Sequence, residues 1–281
     1  MNNFIKDSVV PETFYKYFTL GDWFPMLLSC KSMKFTSRAD FNDPFDSRPA
    51  YKHSNPEKSI EYTKQSLKAL GISPTRRIQI EQQLRRKKCV SGLDKFERQA
   101  NLLLDKVGIL CITEEWNNIL MWSHYADNHR GVCVGFRSNM DFFQAALKII
   151  YQPHKPIINI PEDLKSREVL YEDTFLKKAE CWSSEKEWRI LKSPMNEIDR
   201  NIEKQYTANM EINPEDARIF YDQRGTGFYS FNNSAIRDIT LGAMINSSIE
   251  AQVLKWIKDS GVNVRVYKAK LSPFEYGLVR E

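Results

Sequence analysis

The sequence predicts a single α+β domain over residues 1–281, with a mixed, largely antiparallel sheet and a helical insertion at 57–107. Strand and helix candidates follow one another without the regular βαβ alternation that is typical of parallel sheets. The stretch of helical spacing at 57–107 separates the first strands from the later ones. Hydrophobic residues make up 42% of the chain and aromatic residues 12%, which is enough to form a sizeable core.

The N-terminal part contains two strand candidates joined by a short helix. Residues 14–20 are mostly aromatic, which predicts a first strand. An apolar stripe between Trp23 and Leu28 predicts a short helix. Residues 34–37 predict a second short strand. The FNDPFD segment that follows is rich in turn formers and predicts a tight turn.

The helical insertion carries its own start and stop signals. Ser73 followed by Pro74 is typical of a helix start, because proline fits the first helical position. Ser91 with Asp94 resembles a capping box. An apolar stripe then ends at Gly108 and consists of Phe96, Ala100, Leu103, Leu104 and Val107.

The chain becomes rich in strands after residue 108. Residues 109–113 and 132–136 are short apolar runs bounded by polar turns, as buried strands are. Between them, residues 119–126 predict a short helix. Further strand candidates are 187–191, 227–231 and 236–241.

The C-terminal part predicts a helix followed by a final strand. Ser247 with Glu250 forms a capping box, and Gly261 closes the helix. Valines alternate with polar residues from Val262 to Val266, which predicts a half-buried strand.

Charge and composition limit the possible functions. The net charge of +5 permits an anionic partner without requiring one. The five cysteines form no C-x-x-C pair, which argues against a zinc site or a disulfide framework and favours a reducing compartment. The sequence has no signal-peptide pattern and no long apolar run, so we expect a soluble, cytoplasmic protein without a membrane partner. Rossmann and P-loop motifs are absent from the sequence.

The densest polar cluster is the segment Trp122–Gly131. On a helix over 119–126, Trp122 and Tyr125 share one face. His129 would then lie on the loop before a buried strand, where ligand-binding groups are common. One interpretation is an aromatic platform with His129 as a hydrogen-bonding or proton-transfer group. The other is a core Trp–Tyr pair with a histidine that satisfies a turn.

A second cluster is the segment Trp182–Arg189. On an extended strand, Glu185, Glu187 and Arg189 project from one face because the side-chain period is two. Neighbouring carboxylates push their pKa values apart, which suits catalysis or binding of hydroxyl groups. The alternative is an exposed, charged strand face with an Arg–Glu pair that contributes little to stability.

A third cluster is the turn at Phe41–Asp46. In the functional interpretation, Phe41 and Phe45 anchor the loop in the core. The polar side chains that then face a ligand are Asn42, Asp43 and Asp46. An ordinary anchored turn is the alternative.

Basic residues follow one another on the predicted helix at 74–90. They are Arg76, Arg77, Arg85, Arg86, Lys87 and Lys88. Such a run either contacts nucleic acid or forms a solvated helix face.

These segments together resemble the bacterial domain-of-unknown-function family 2971. The matching pieces are the Tyr-Lys-Tyr opening, the FNDPFD turn, and the sequences MWSHYADNHRGVCVGF and KKAECWSSEKEWRI. The resemblance extends from about residue 14 to about residue 270, and it is weakest at 57–107. It names a family and implies no activity.

The order of polar residues also resembles that of ADP-ribosyltransferases. This resemblance implies a split sheet, a first-strand residue at the nicotinamide ribose, an aromatic ring on nicotinamide and a late Glu-x-Glu. Glu187 would then bind the ribose 2′-hydroxyl, while Glu185 would orient or deprotonate the acceptor. With His129 from the aromatic cluster, the candidate catalytic residues are Glu187, Glu185 and His129. The resemblance implies Lys16 or Tyr17 at the ribose, Tyr125 or Trp122 on nicotinamide, and Arg38 or Arg189 at the diphosphate. Asn42 and Asp43 of the turn complete the candidate NAD-binding residues.

Three functions are compatible with these patterns. The first is an NAD-consuming ADP-ribosyltransferase or NAD glycohydrolase, acting on nucleic acid or protein as a toxin or phage-defence effector. The second is a nuclease that depends on Mg²⁺ or Mn²⁺. Its ligands would be Asp43, Asp46, His129, Glu185 and Glu187. The third is a non-catalytic nucleotide sensor or adaptor.

Overall fold

The structure is a computed structural model that describes residues 9–21, 23–53, 56–69, 71–86, 90–194 and 223–281. The chain divides into two compact units. The sheet unit comprises Met1–Asp40, Lys106–Ile149 and Cys181–Glu281, and the helical unit comprises Phe41–Asp105 and Ile150–Glu180.

The described strands and helices follow in chain order. The strands are β1 Thr13–Phe18, β2 Ser32–Phe35, β3 Ala50–His53, β4 Gly108–Thr113, β5 Val132–Arg137, β6 Leu147–Lys148, β7 Ile150–Gln152, β8 Ile157–Ile160, β9 Lys177–Ala179, β10 Glu187–Lys192, β11 Gly227–Ser230, β12 Ile236–Leu241, β13 Arg265–Leu271 and β14 Leu278–Arg280. The helices are α1 Trp23–Cys30, α2 Pro56–Ala69, α3 Pro74–Arg86, α4 Val90–Leu104, α5 Ile119–Tyr125, α6 Arg167–Tyr171 and α7 Ser247–Asp259.

The sheet unit is built on eight strands in the order β14-β13-β12-β5-β1-β4-β10-β6. Neighbouring strands are antiparallel, except that β12 and β13 are parallel. The predicted α+β class with a mixed, mostly antiparallel sheet is therefore confirmed.

Side chains alternate between the two faces of this sheet, and each face has its own core. The larger core contains Phe14, Val134 and Trp188 from the strands and includes residues of α1 and α7. The opposite face carries a smaller cluster around Tyr17, Cys133 and Trp122, so α5 packs on this second face. Glu187 and Arg189 on β10 and Thr113 on β4 project from the second face as well.

The sheet parts between β1 and β4. Strand β1 is paired with β5 over its whole length, from Thr13 to Phe18, but it shares one register pair with β4, Tyr15 opposite Thr113. The first half of β4 instead forms a bridge from Ile109 to Thr36. Lys16 spans the gap, and its ammonium donates a hydrogen bond to the Cys111 carbonyl at 2.9 Å.

The helical unit contains α2, α3 and α4 together with two parallel strand pairs, β3 with β8 and β7 with β9. The helices occupy the range that the sequence predicts as an insertion. Tyr51 on β3 packs edge-on against Phe96 on α4, with ring centroids 5.5 Å apart. Asp46 pairs with Lys178, and both side chains are buried.

Some boundaries differ from the predicted ones. The second strand begins at Ser32 rather than at residue 34, and the last valine-rich strand runs over Arg265–Leu271 rather than 262–266. Tertiary pairing sets both limits, since β2 pairs with β11 and β13 pairs with β12 and β14. Among the described residues, no helix is long and apolar enough to cross a membrane.

Candidate functional site

Helix α5 fixes the aromatic part of the candidate site. Asn118 caps it, because its side-chain oxygen accepts hydrogen bonds from the Leu120 and Met121 amides at 3.0 and 3.1 Å. Trp122 is fully buried, and its indole N–H donates to the Trp116 carbonyl at 2.7 Å. Its ring contacts Tyr17 edge-on at 5.2 Å. Trp122 is therefore a core residue that sets the orientation of α5.

The loop after α5 has an unusual backbone. Asp127, Asn128 and His129 have φ angles of 47°, 52° and 67°, a left-handed conformation that costs free energy for residues other than glycine. The His129 ring lies parallel to Trp122 with centroids 6.2 Å apart. The His129 carbonyl accepts a hydrogen bond from the Met244 amide at 2.9 Å. The predicted loop position of His129 before β5 is thus observed.

Gly242 allows the strand end after β12 to touch this loop. A Cβ atom on Gly242 would lie 2.1 Å from the His129 carbonyl oxygen, far inside van der Waals contact. Gly131 is equally tight, since its Cβ would lie 2.1 Å from the Phe18 carbonyl oxygen. Both positions require glycine for close approach of two backbones.

Glu185 does not lie on one extended strand with Glu187 and Arg189, as their predicted common face requires. It ends a short 3₁₀ helix, Glu180–Glu185, and strand β10 begins at Glu187. Lys186 between them is left-handed, with φ 44°, so the two-residue alternation does not apply across it. The predicted common strand face is wrong for Glu185 for this reason.

The turn nevertheless brings Glu185 to α5. The Tyr125 hydroxyl donates a hydrogen bond to Glu185 Oε1 at 2.7 Å. The Thr113 hydroxyl donates to the Glu185 carbonyl at 2.7 Å and accepts from the Glu115 amide at 3.2 Å. Asn118 donates to the Ser184 carbonyl, and Lys186 forms an ion pair with Glu115.

Glu187 and Arg189 form a buried ion pair on β10. Arg189 Nε lies 2.6 Å from Glu187 Oε1, and Nη2 lies 3.3 Å from Oε2. The side chains are 4% and 0% exposed. Glu187 lies opposite Thr113 on β4, and Arg189 lies opposite Cys111. The predicted common face is therefore confirmed for these two residues, in a bidentate geometry that fixes the carboxylate.

Lys16 and Tyr17 lie on β1, which β4 separates from the strand of this pair. Burial lowers the pKa of Lys16, and the nearby Cys111 and Glu187 partly oppose this shift. The Tyr17 hydroxyl donates to the Glu115 carbonyl at 2.9 Å, and burial raises the pKa of this phenol. The sheet unit thus gathers Tyr17, Trp122, Tyr125, His129, Glu185, Glu187 and Arg189 around the second face and the adjoining loops. Lys16, the neighbour of Tyr17 on β1, projects instead from the face of the larger core, in register with Val134.

The other predicted residues are placed differently. Arg38 belongs to the sheet unit, in the short 3₁₀ helix Arg38–Asp40, and is 1% exposed. Asn42 and Asp43 belong to the helical unit. Asp43 accepts a hydrogen bond from the Phe45 amide at 2.8 Å, which confirms the predicted turn. Phe45 is 70% exposed, so its predicted anchoring in the core is wrong.

The structure gives no geometric support to a nucleic-acid surface on α3 or to the metal site of the nuclease hypothesis. On α3, Arg85 is held by Glu57 and Glu81, which reduces the positive charge of the predicted basic face. Lys87 and Lys88 lie outside the described residues. Within the described part of the chain, no group of three His, Cys, Asp or Glu side chains is arranged to hold a metal ion. Asp46, a ligand in the nuclease hypothesis, is buried against Lys178.

His129 predicts a specific pH dependence of stability. Burial lowers its pKa, and its buried Nδ1 has no hydrogen-bond partner within the described chain. A histidine whose pKa is lowered in the folded state resists protonation there. The free energy of unfolding therefore decreases as the pH falls through about 6.5, the pKa of histidine in the unfolded chain. We expect the free energy of unfolding, measured by urea titration between about pH 7.5 and 5, to decline less in His129→Gln. Exposed His124 provides the control, and an equal pH slope in His124→Gln and His129→Gln would contradict this assignment.

The comparisons with known proteins find a similarity to one family over part of the chain. Residues 121–190 match the model of a family described as "Protein of unknown function (DUF2971)". The match contains both the MWSHYADNHRG and the WSSEKEWR motifs and supports the family assignment that these motifs predict. No curated protein and no solved structure gives a significant match to the chain.

Proposed function

We propose that the sheet unit is an NAD-consuming enzyme of the ADP-ribosyltransferase or NAD glycohydrolase type, with Glu187 at its reacting centre. The observation that carries this proposal is the position of Glu187. It begins β10 directly opposite Thr113, the one β4 residue in register with β1, and the two strands part beyond this pair. The Lys16 ammonium lies in the gap between them, within electrostatic range of Glu187. A parted sheet with a late acidic strand residue fits the arrangement that the resemblance implies.

Glu187 would stabilise the positive charge that develops on the nicotinamide ribose. Arg189 occupies part of the hydrogen-bonding capacity of the carboxylate, which can accept at about four positions. In the proposed complex, the ribose 2′-hydroxyl donates a hydrogen bond to this carboxylate. Because the carboxylate is buried and fixed, its attraction for an oxocarbenium-like transition state is little reduced by solvent.

The reaction is a substitution at C1′ of the nicotinamide ribose. The bond from C1′ to the nicotinamide nitrogen breaks, and its electron pair neutralises the pyridinium as nicotinamide leaves. A lone pair of water, or of an acceptor hydroxyl or amine, forms the new bond to C1′. The nucleophile loses a proton, which passes to the Glu185 carboxylate. Tyr125 would hold Glu185 in position through its hydroxyl.

We expect Glu185→Gln to slow nicotinamide release by about 10²-fold, because an amide cannot accept the proton of the nucleophile. Tyr125→Phe leaves the carboxylate intact and removes one hydrogen bond, so its effect should be smaller, about tenfold. The relative sizes of the two losses separate the two roles. A loss in Tyr125→Phe as large as that in Glu185→Gln would argue against Glu185 as the base.

The proposal is tested by incubating the purified chain with NAD and quantifying nicotinamide by chromatography. Water serves as the first acceptor, and a protein mixture and single-stranded nucleic acid serve as the others. We expect steady release with at least one of the three. Absence of nicotinamide with all of them would overturn the proposal. In a bacterial cell, such NAD consumption would suit a toxin or a phage-defence effector.

A further inference from the structure

An open groove lies between the start of α5 and the β13–β14 hairpin in the sheet unit. Its volume is about 490 Å³. One wall is formed by Glu115 and residues 117–120, and the other by Ser272 and residues 275–279. Asn118 of the first wall also contacts Ser184, so the groove adjoins the turn that carries Glu185.

The groove is bordered by a free strand edge. Strand β14 is the last strand in the order of the eight-stranded sheet, and it pairs with β13 on one side. Its other edge faces no strand within the described residues. Unpaired N–H and C=O groups at such an edge can hydrogen-bond to an extended chain. Natural proteins usually protect an edge of this kind or use it for binding.

Apolar side chains surround this edge although they are in contact with solvent. Leu120 is 52% exposed and Val279 is 44% exposed, while Tyr276 and Phe274 in the hairpin turn are almost fully exposed. Clustered apolar exposure beside a groove is typical of a surface that a partner covers.

The charge of the groove indicates what kind of partner fits. No lysine or arginine is among the described residues that line it. Glu115 is neutralised by Lys186, whereas the Glu275 carboxylate forms no ion pair within the described chain. A polyanion such as nucleic acid gains affinity from positive charges, which this lining does not offer. A basic polypeptide fits the charge instead.

We infer that the groove binds an extended polypeptide with alternating apolar and basic residues, which adds as a strand to the free edge of β14. Alternate side chains of an extended chain point to opposite sides. One set would cover Leu120 and Tyr276, and the other would reach Glu275. Backbone hydrogen bonds supply affinity in this binding mode, and the side-chain pattern supplies specificity. The inference goes beyond the proposed enzymatic function and does not depend on it.

The test uses the full chain and a short fluorescent peptide of alternating valine and lysine, with binding followed by anisotropy. A matched peptide carries glutamate in place of lysine. We expect the lysine peptide to bind at least about tenfold more tightly, a difference of about 1.4 kcal/mol. Val279→Lys and Leu120→Lys should weaken its binding about tenfold. Leu254→Lys is the matched control, because Leu254 is 43% exposed on α7 and does not line the groove.

A charge-reversal variant distinguishes a change in peptide binding from a loss of folding. Glu275→Lys changes an exposed turn residue, and it should weaken the lysine peptide and strengthen the glutamate peptide. Equal affinities of the two peptides for the wild type would overturn the inference. So would competition by a single-stranded oligonucleotide. A wild-type dimer that Val279→Lys converts to a monomer in sedimentation would also overturn it, since a second copy would then cover the groove.

Discussion

Glu187→Gln is expected to slow nicotinamide release from NAD by about 10²–10³-fold, the usual effect of removing one preorganised group that stabilises transition-state charge. The glutamine side chain has nearly the same shape, but it lacks the negative charge that an oxocarbenium-like ribose requires. The Michaelis constant for NAD should change much less than the turnover number, because the lost interaction strengthens as the charge develops.

A stability control is needed for this variant because Arg189 is buried against Glu187. Loss of one partner of a buried ion pair destabilises a protein by about 3–5 kcal/mol. The double variant Glu187→Leu/Arg189→Met removes both charges, and such apolar replacements are often neutral or stabilising. We expect it to melt near the wild-type temperature and to be inactive. A double variant that still turns over NAD would show that the pair is purely structural.

Gly242→Ala is expected to lower the free energy of unfolding by about 3 kcal/mol or more, because overpacking against rigid backbone cannot be relieved by side-chain motion. The new Cβ would lie 2.1 Å from the His129 carbonyl oxygen, which also accepts the Met244 amide hydrogen bond. Separation of the two backbones would disturb the left-handed loop that positions His129. Urea unfolding measures the change in stability.

Gly21→Ala is the matched control for Gly242→Ala. A Cβ atom on Gly21 would have no neighbour within 4 Å, and its φ lies outside the left-handed region. We expect its stability to stay within about 0.5 kcal/mol of the wild type or to rise slightly. If Gly242→Ala were as stable as Gly21→Ala, the loop would not be fixed by contact with Gly242.

Local patterns were sufficient to predict most of the long elements. Helix α5, strand β5 and strand β10 were predicted within about two residues, because apolar spacing and flanking turn residues are properties of the chain itself. The short strands β6–β9 were not predicted. They have two to four residues each and no detectable period, so tertiary pairing alone defines them.

Part of the candidate site also follows from local sequence patterns. Glu187 and Arg189 share a face because they are two residues apart on one strand. Glu185 was misplaced because the left-handed conformation of Lys186 depends on tertiary contacts. The supporting roles of Thr113 and Asn118 were missed, since their hydrogen bonds to the turn at 184–185 connect residues far apart in sequence. The one signal in the sequence concerns Thr113, which ends a buried apolar run.

The most direct test of the central claim is a crystal structure of the chain with an NAD analogue whose ribose ring oxygen is replaced by a methylene group, so that nicotinamide cannot leave. The proposal predicts that the ribose 2′-hydroxyl donates a hydrogen bond to Glu187, with Tyr125 and Glu185 beside the nicotinamide ribose. An analogue bound elsewhere, or no binding in crystals and by calorimetry, would contradict it.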